Sequence, residues 1–130
     1  MVTVLKTVLA ARRAWVRIPP PPPSILLKEI KTVIVEITQL KLVKGASPQA
    51  FIKAVEKTQP FLQKQSGYID RELLKIADDQ WVDLLHWKAA DDAKRAGKAM
   101  MHDPSCADFV KMIDPAGVTM IFPEQVKVWK

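Results

Sequence analysis

Apolar and polar positions alternate over residues 32–43 (TVIVEITQLKLV), and β-branched side chains are frequent there, which predicts a strand. One face carries Val33, Val35, Ile37 and Gln39, the other Ile34, Glu36, Thr38 and Leu40. Both faces are largely apolar, so both are expected to be covered. The period then changes. Phe51, Ala54, Val55, Thr58, Phe61 and Leu62 recur at helical spacing after a start signal, with Ser47 as the cap and Pro48 in the first turn. Pro60 is expected to kink or restart this helix, and Gly67 to end it in a left-handed conformation. Strands are predicted at 68–76 and 81–88, joined by a hairpin at 77–80. The third strand has Trp81, Asp83, Leu85 and Trp87 on one face and Val82, Leu84 and His86 on the other. A helix is expected at 90–101, broken by Asp103-Pro104, then a short helix at 105–113 and a turn at 114–117. The last strand is read over 118–129, with Pro123 forcing a bulge or an edge.

The order βαββαβ, with right-handed crossovers, gives an α+β fold of ferredoxin-like type. It has a four-stranded antiparallel sheet, helices on one face, and strands one and three adjacent. The opposite face would then leave an apolar patch larger than monomers usually expose. A homodimer that stacks two such faces is therefore expected, as in a dimeric α/β barrel.

Residues 1–30 do not fit this pattern. Residues 19–23 are all proline, which forbids helix and sheet and favours polyproline II. Codons compatible with Trp15-Val16-Arg17-Ile18-Pro19 include the T-arm consensus of a transfer-RNA gene. The stretch is read as a basic, proline-rich tail, either disordered or a mis-assigned start. A transit peptide and a ligand for a proline-reading module are the other readings. The domain is placed at 31–130. The tail also explains the charge. Net charge is +6, but residues 1–27 hold Lys6, Arg12, Arg13 and Arg17 and no acid, so the globular part is nearly neutral. No basic stripe interleaved with aromatics remains, and no nucleic-acid partner is expected. No apolar run is long enough for a membrane span, so no membrane partner is expected. Cys106 is the sole cysteine, which excludes an intrachain disulfide and suits a reducing, cytoplasmic setting.

Further motifs refine the fold reading. Pro60-Phe61 is followed by Ser66-Gly67-Tyr68 before strand two, and His86-Trp87 closes strand three. Asp103-Pro104 and residues 109–114 lead into strand four. With this order and these motifs, residues 31–130 resemble the dimeric α/β-barrel superfamily, in its antibiotic biosynthesis monooxygenase-like branch. The resemblance implies a pocket between the sheet and its helices. It also implies two chemistries to weigh. Cofactor-independent oxygenation of aromatics uses pocket Asn, Trp, Tyr or Arg side chains, and haem degradation uses Asn, Trp and His. The chain contains no Asn. Trp87 matches the strand-three tryptophan, but His102 follows too far along the chain for the haem-degrading histidine.

His86 is the expected catalytic base or hydrogen-bond donor, with Glu36 on the adjacent strand as a feasible partner. The competing reading makes His86 a core or dimer-interface histidine. Glu36, Thr38, Tyr68, Trp87, Met101 and Phe109 are the expected substrate-pocket residues, the methionines giving a soft apolar wall. Cys106, near a helix start, is a candidate for a lowered pKa. Two His and one Cys on separate elements show no ligand spacing, so no metal is expected, and no glycine-rich loop suggests a cofactor. Two functions are compared. One is a cofactor-independent monooxygenase-like enzyme for a small aromatic or apolar molecule. The other is a non-catalytic dimeric ligand-binding or structural module. A cavity of about 300 Å³ or more faced by His86 would favour the enzyme. A packed interface with His86 on the dimer side would favour the module.

Overall fold

The structure, a computed structural model, describes residues 32–130. The expectations for the proline-rich tail lie outside these residues. The elements are β1 (Ile34–Lys41), α1 (Pro48–Gln63), β2 (Tyr68–Ala77), β3 (Gln80–Trp87), α2 (Ala90–Met100), a 3₁₀ turn (Pro104–Cys106), α3 (Ala107–Met112), a second 3₁₀ turn (Pro115–Gly117) and β4 (Thr119–Ile121). The strands form one antiparallel sheet in the order β2-β3-β1-β4. This is the expected α+β, ferredoxin-like order, with β1 beside β3.

Local chemistry sets most element ends. The Ser47 hydroxyl accepts from the Ala50 N–H, and Pro48 enters the first turn where its missing N–H costs nothing. Gly67 has φ +82°, and any Cβ there would run into the Asp92 side chain, so only glycine fits this approach of α2. Four expectations need correction. Helix α1 ends at Gln63 with Lys64 as a right-handed cap at φ −86°, so Gly67 shapes the turn into β2 and does not end the helix. Helix α1 does not restart at Pro60 but continues through it to Gln63, the proline lying on its exposed side, where water can take the carbonyl that lost its donor. The short helix is split, its first turn being 3₁₀. The last strand is three residues long rather than twelve. Pro123 has no N–H to give, so past Ile121 the pairing continues only through Val35 N–H to the Pro123 carbonyl, Gln125 N–H to the Val33 carbonyl, and an isolated bridge of Ile34 with Glu124.

The covered face of the sheet holds two apolar clusters. Phe51 packs on Trp81 and Phe109, with ring centroids 5.2 and 5.9 Å away, and is joined by Leu40, Leu42, Ala54 and Val55. Trp87 anchors the other cluster with Ile34, Phe61, Leu62, Leu85, Ala93, Ala96 and Cys106. The two helical layers differ in what they offer. Helix α1 supplies Phe51, Phe61 and Leu62, whereas α2 presents only Ala93 and Ala96 as buried side chains. Small side chains cannot fill the gap between a helix and a pleated sheet. Space is left where α2 crosses.

Candidate active site

That space is a cavity of about 340 Å³. Its floor is the covered sheet face: Glu36, Thr38 and Leu40 of β1, Asp83, Leu85 and Trp87 of β3, and Met120 of β4. Its roof is α2, through Ala93, Ala96, Gly97 and Met100, and its far wall includes Met101, Phe109 and Val110. Strand alternation explains the floor. The odd positions of β3 and the even positions of β1 point the same way because Glu36 faces Leu85 and Thr38 faces Asp83 across the ladder.

Glu36 is the distinctive group. Its Oε1 accepts from the Trp87 indole N–H at 3.2 Å, and its Oε2 from the Thr38 hydroxyl at 3.4 Å. Burial and then the nearby Asp83 carboxylate push its pKa up to about 7, against the opposing pull of the two hydrogen bonds and of Arg71. A carboxyl poised there exchanges its proton at neutral pH, and its remaining lone pairs lie in an apolar cavity.

Asp83 is held differently. Arg71 grips it bidentately, Nε to Oδ1 at 2.8 Å and NH2 to Oδ2 at 2.7 Å, with both side chains almost wholly buried. The third arm of Arg71 donates to the Thr58 hydroxyl at 2.7 Å and the Val55 carbonyl at 3.4 Å, and the guanidinium lies over the Phe109 ring. Arg71 is thus consumed by the scaffold. It does not line the cavity.

Of the residues expected to form the pocket, Glu36, Thr38, Trp87, Met101 and Phe109 line the cavity together. Tyr68 does not. It packs edge-on against Trp87 at 5.8 Å and its hydroxyl accepts from the Gln59 amide at 2.8 Å, so it backs the indole from outside. His86 is not at the cavity either. It is one step from the buried Trp87 on β3, so its ring projects from the opposite sheet face, where Nδ1 pairs with Asp70 Oδ1 at 2.5 Å. The expected approach of Glu36 to His86 is excluded for the same reason: the two side chains leave the sheet on opposite sides. The sought combination is therefore split, a cavity of sufficient size without the histidine. Cys106 is buried, and burial raises its thiol pKa rather than lowering it.

Sequence reading missed Asp83 and Arg71 as site residues. The signal was present: Asp83 shares an alternating face with Trp81, Leu85 and Trp87, and a carboxylate on such a face needs a buried partner. Among the described residues no group of His, Cys, Asp and Glu is arranged to hold a metal ion, and no helix is long and apolar enough to cross a membrane.

No family model matches the chain, and no curated protein does. Solved structures do. An alanine variant of SnoaB, a cofactor-independent oxygenase from Streptomyces nogalater, aligns with a TM-score of 0.58 at 15% identity, over 74% of this chain and 95% of that one. A Bordetella bronchiseptica protein named for the antibiotic biosynthesis monooxygenases aligns with a TM-score of 0.64 at 14% identity, over 74% and 99%. A Nitrosomonas europaea protein of unknown function gives 0.58 at 13% identity, over 77% and 95%. At such identities the likeness is one of fold, and the described domain carries the ferredoxin-like α+β fold of the antibiotic biosynthesis monooxygenase-like proteins.

Proposed function

We propose that the domain binds a small apolar or aromatic molecule under α2 and acts on it as a monooxygenase-like enzyme without a bound cofactor, with Glu36 as general base. One observation carries this reading: a carboxyl with a pKa of about 7 stands on the floor of an apolar cavity, oriented by Trp87 and Thr38. A base works best when its pKa lies near the working pH. Glu36 takes the proton of a ring hydroxyl, and the electron-rich anion left behind reacts with dioxygen. One oxygen atom becomes a ring carbonyl, and the other leaves as water with the ring hydrogen and the hydroxyl hydrogen. The fold it shares with SnoaB, a cofactor-independent oxygenase, supports this class of reaction.

The bare sheet face has a separate role in this reading. Val35, Ile37, Val82 and Leu84 lie there with the exposed Leu74, Ile76 and Ile121. This largely apolar surface, interrupted by Gln39, Glu72 and Thr119, is suited to a second copy of itself, and we propose a homodimer through this face, with His86 and Asp70 at the interface.

The test is oxygen uptake over a panel of hydroquinones and naphthols. Glu36→Gln is expected to lower turnover by about 10²-fold or more, while His86→Ala leaves it unchanged. Full activity in Glu36→Gln contradicts the assignment. Tight binding by the wild type with no turnover of any panel member supports the non-catalytic module instead.

A further inference from the structure

A second cavity, also of about 340 Å³, opens beside the first. Met100, Met101 and Val110 line both, so the outer space is the vestibule of the inner one. Met101 is 64% exposed although it forms part of the inner wall, which places the opening at its side chain.

The two spaces differ in the cations that line them. The ionisable groups lining the inner cavity are Glu36 and Asp83, both acids. The outer one is lined by His102, Asp103 and Lys111 as well as Pro104 and Ala107. Asp103 is engaged through one of its two oxygens. Its Oδ1 accepts from the Ser105 hydroxyl at 2.5 Å and the Ser105 N–H at 2.9 Å, and these bonds, with Lys64 nearby, hold its carboxyl below the usual range. Lys111 makes no ion pair among the described residues. Asp108, the acid whose carboxyl it influences, is taken by Lys57 at 2.8 Å. Lys111 is thus the cation lining the vestibule that is left to meet an anion, on a wall it shares with the His102 ring and the second oxygen of Asp103.

We propose that the vestibule is a subsite for an anionic group, a carboxylate or sulfonate, carried by the same ligand whose apolar body enters the inner cavity. The proposal rests on the inner cavity being the ligand site. It fixes one orientation. The apolar body lies under α2 towards Glu36, and the anion stays outside at Lys111. The reverse placement would bury the anion in a water-poor space beside Glu36, where Arg71 is already spent on Asp83 and no cation among the described residues lines the cavity to offset the burial.

A matched pair of fluorescent probes tests this on the full chain: 1-anilinonaphthalene-8-sulfonate, and N-phenyl-1-naphthylamine, which has the same rings without the sulfonate. Lys111→Ala is expected to weaken the sulfonate probe about two- to fivefold, the range of an exposed ion pair, and to leave the neutral probe unchanged. Added salt should weaken the sulfonate probe alone. Gly97→Phe, which puts a ring at the open edge of the inner cavity, should remove both, and Ala96→Leu, filling the cavity from the helix side, serves if that variant does not fold. Equal affinities of both probes for wild type and Lys111→Ala overturn the anionic subsite and leave the inner cavity standing. Sulfonate binding that survives both cavity-filling variants places it elsewhere and also overturns the subsite. Failure of both probes to bind the wild type overturns the inner-cavity reading together with this one.

Discussion

The two faces of the sheet are made by the same strands, yet they handle polar groups in opposite ways. On the covered face, Asp83 is gripped by Arg71, Arg71 by Thr58, and Glu36 by Trp87 and Thr38. Among the described residues no buried side-chain polar atom lacks a partner. On the bare face the polar pair is His86 with Asp70, and the Asp70 side chain is 65% exposed. His86 and Trp87 are neighbours in sequence, but one is partly exposed on the bare face and the other lies in the core. The lesson is that a single step along a strand decides which face of the sheet, covered or bare, a side chain serves. It moves the candidate base from the conspicuous histidine to the less conspicuous glutamate.

The contrast can be broken first at its most buried point. Arg71→Met leaves the Asp83 carboxylate buried without a partner, and urea unfolding should show a loss of about 3–5 kcal/mol. The double variant Arg71→Met with Asp83→Leu should recover most of it, since an apolar pair needs no compensation there. A loss under 1 kcal/mol in the single variant would mean that the pair behaves as a surface ion pair.

Glu36 gives the next effect, and it depends on pH. Its folded-state pKa is raised from 4.5 to about 7, so the folded chain binds the proton more tightly than the unfolded chain. Its favourable contribution is complete below pH 4.5 and is lost as pH rises through 7. Glu36→Gln should therefore gain stability relative to wild type between those values, levelling off above pH 8 at no more than about 3 kcal/mol. A difference that does not change with pH would contradict the tuning.

The smallest effect on folding belongs to the bare face. Leu84→Lys should change the stability of the isolated domain by no more than about 0.5 kcal/mol. In light scattering it should convert the proposed dimer to monomer. A wild type that is already monomeric at micromolar concentration removes the dimer from the account.

Most of the fold was legible because its signals are local. The Ser47-Pro48 start, the left-handed turn at Gly67 into β2 and the alternation in 81–88 each act within a few residues, and the sheet order followed from them. The length of the last strand was not legible, because the alternation continues past Pro123 while the hydrogen bonds do not. Pocket membership was partly legible, since Glu36, Thr38 and Trp87 share the covered face by alternation alone. The choice of base was not. It required knowing which of the two apolar faces meets the helices, and both faces of 32–43 read alike. The cavity itself comes from an absence of bulk on α2, where Ala93, Ala96 and Gly97 leave room that periodicity cannot reveal.

The central claim is that the Glu36 carboxyl, on the covered face, exchanges its proton near neutrality. The most direct measurement is a titration of its side-chain carboxyl ¹³C resonance by NMR, assigned by its disappearance in Glu36→Gln. A midpoint near 7 is the predicted result, and a midpoint near the ordinary glutamate value of about 4.3 would contradict it.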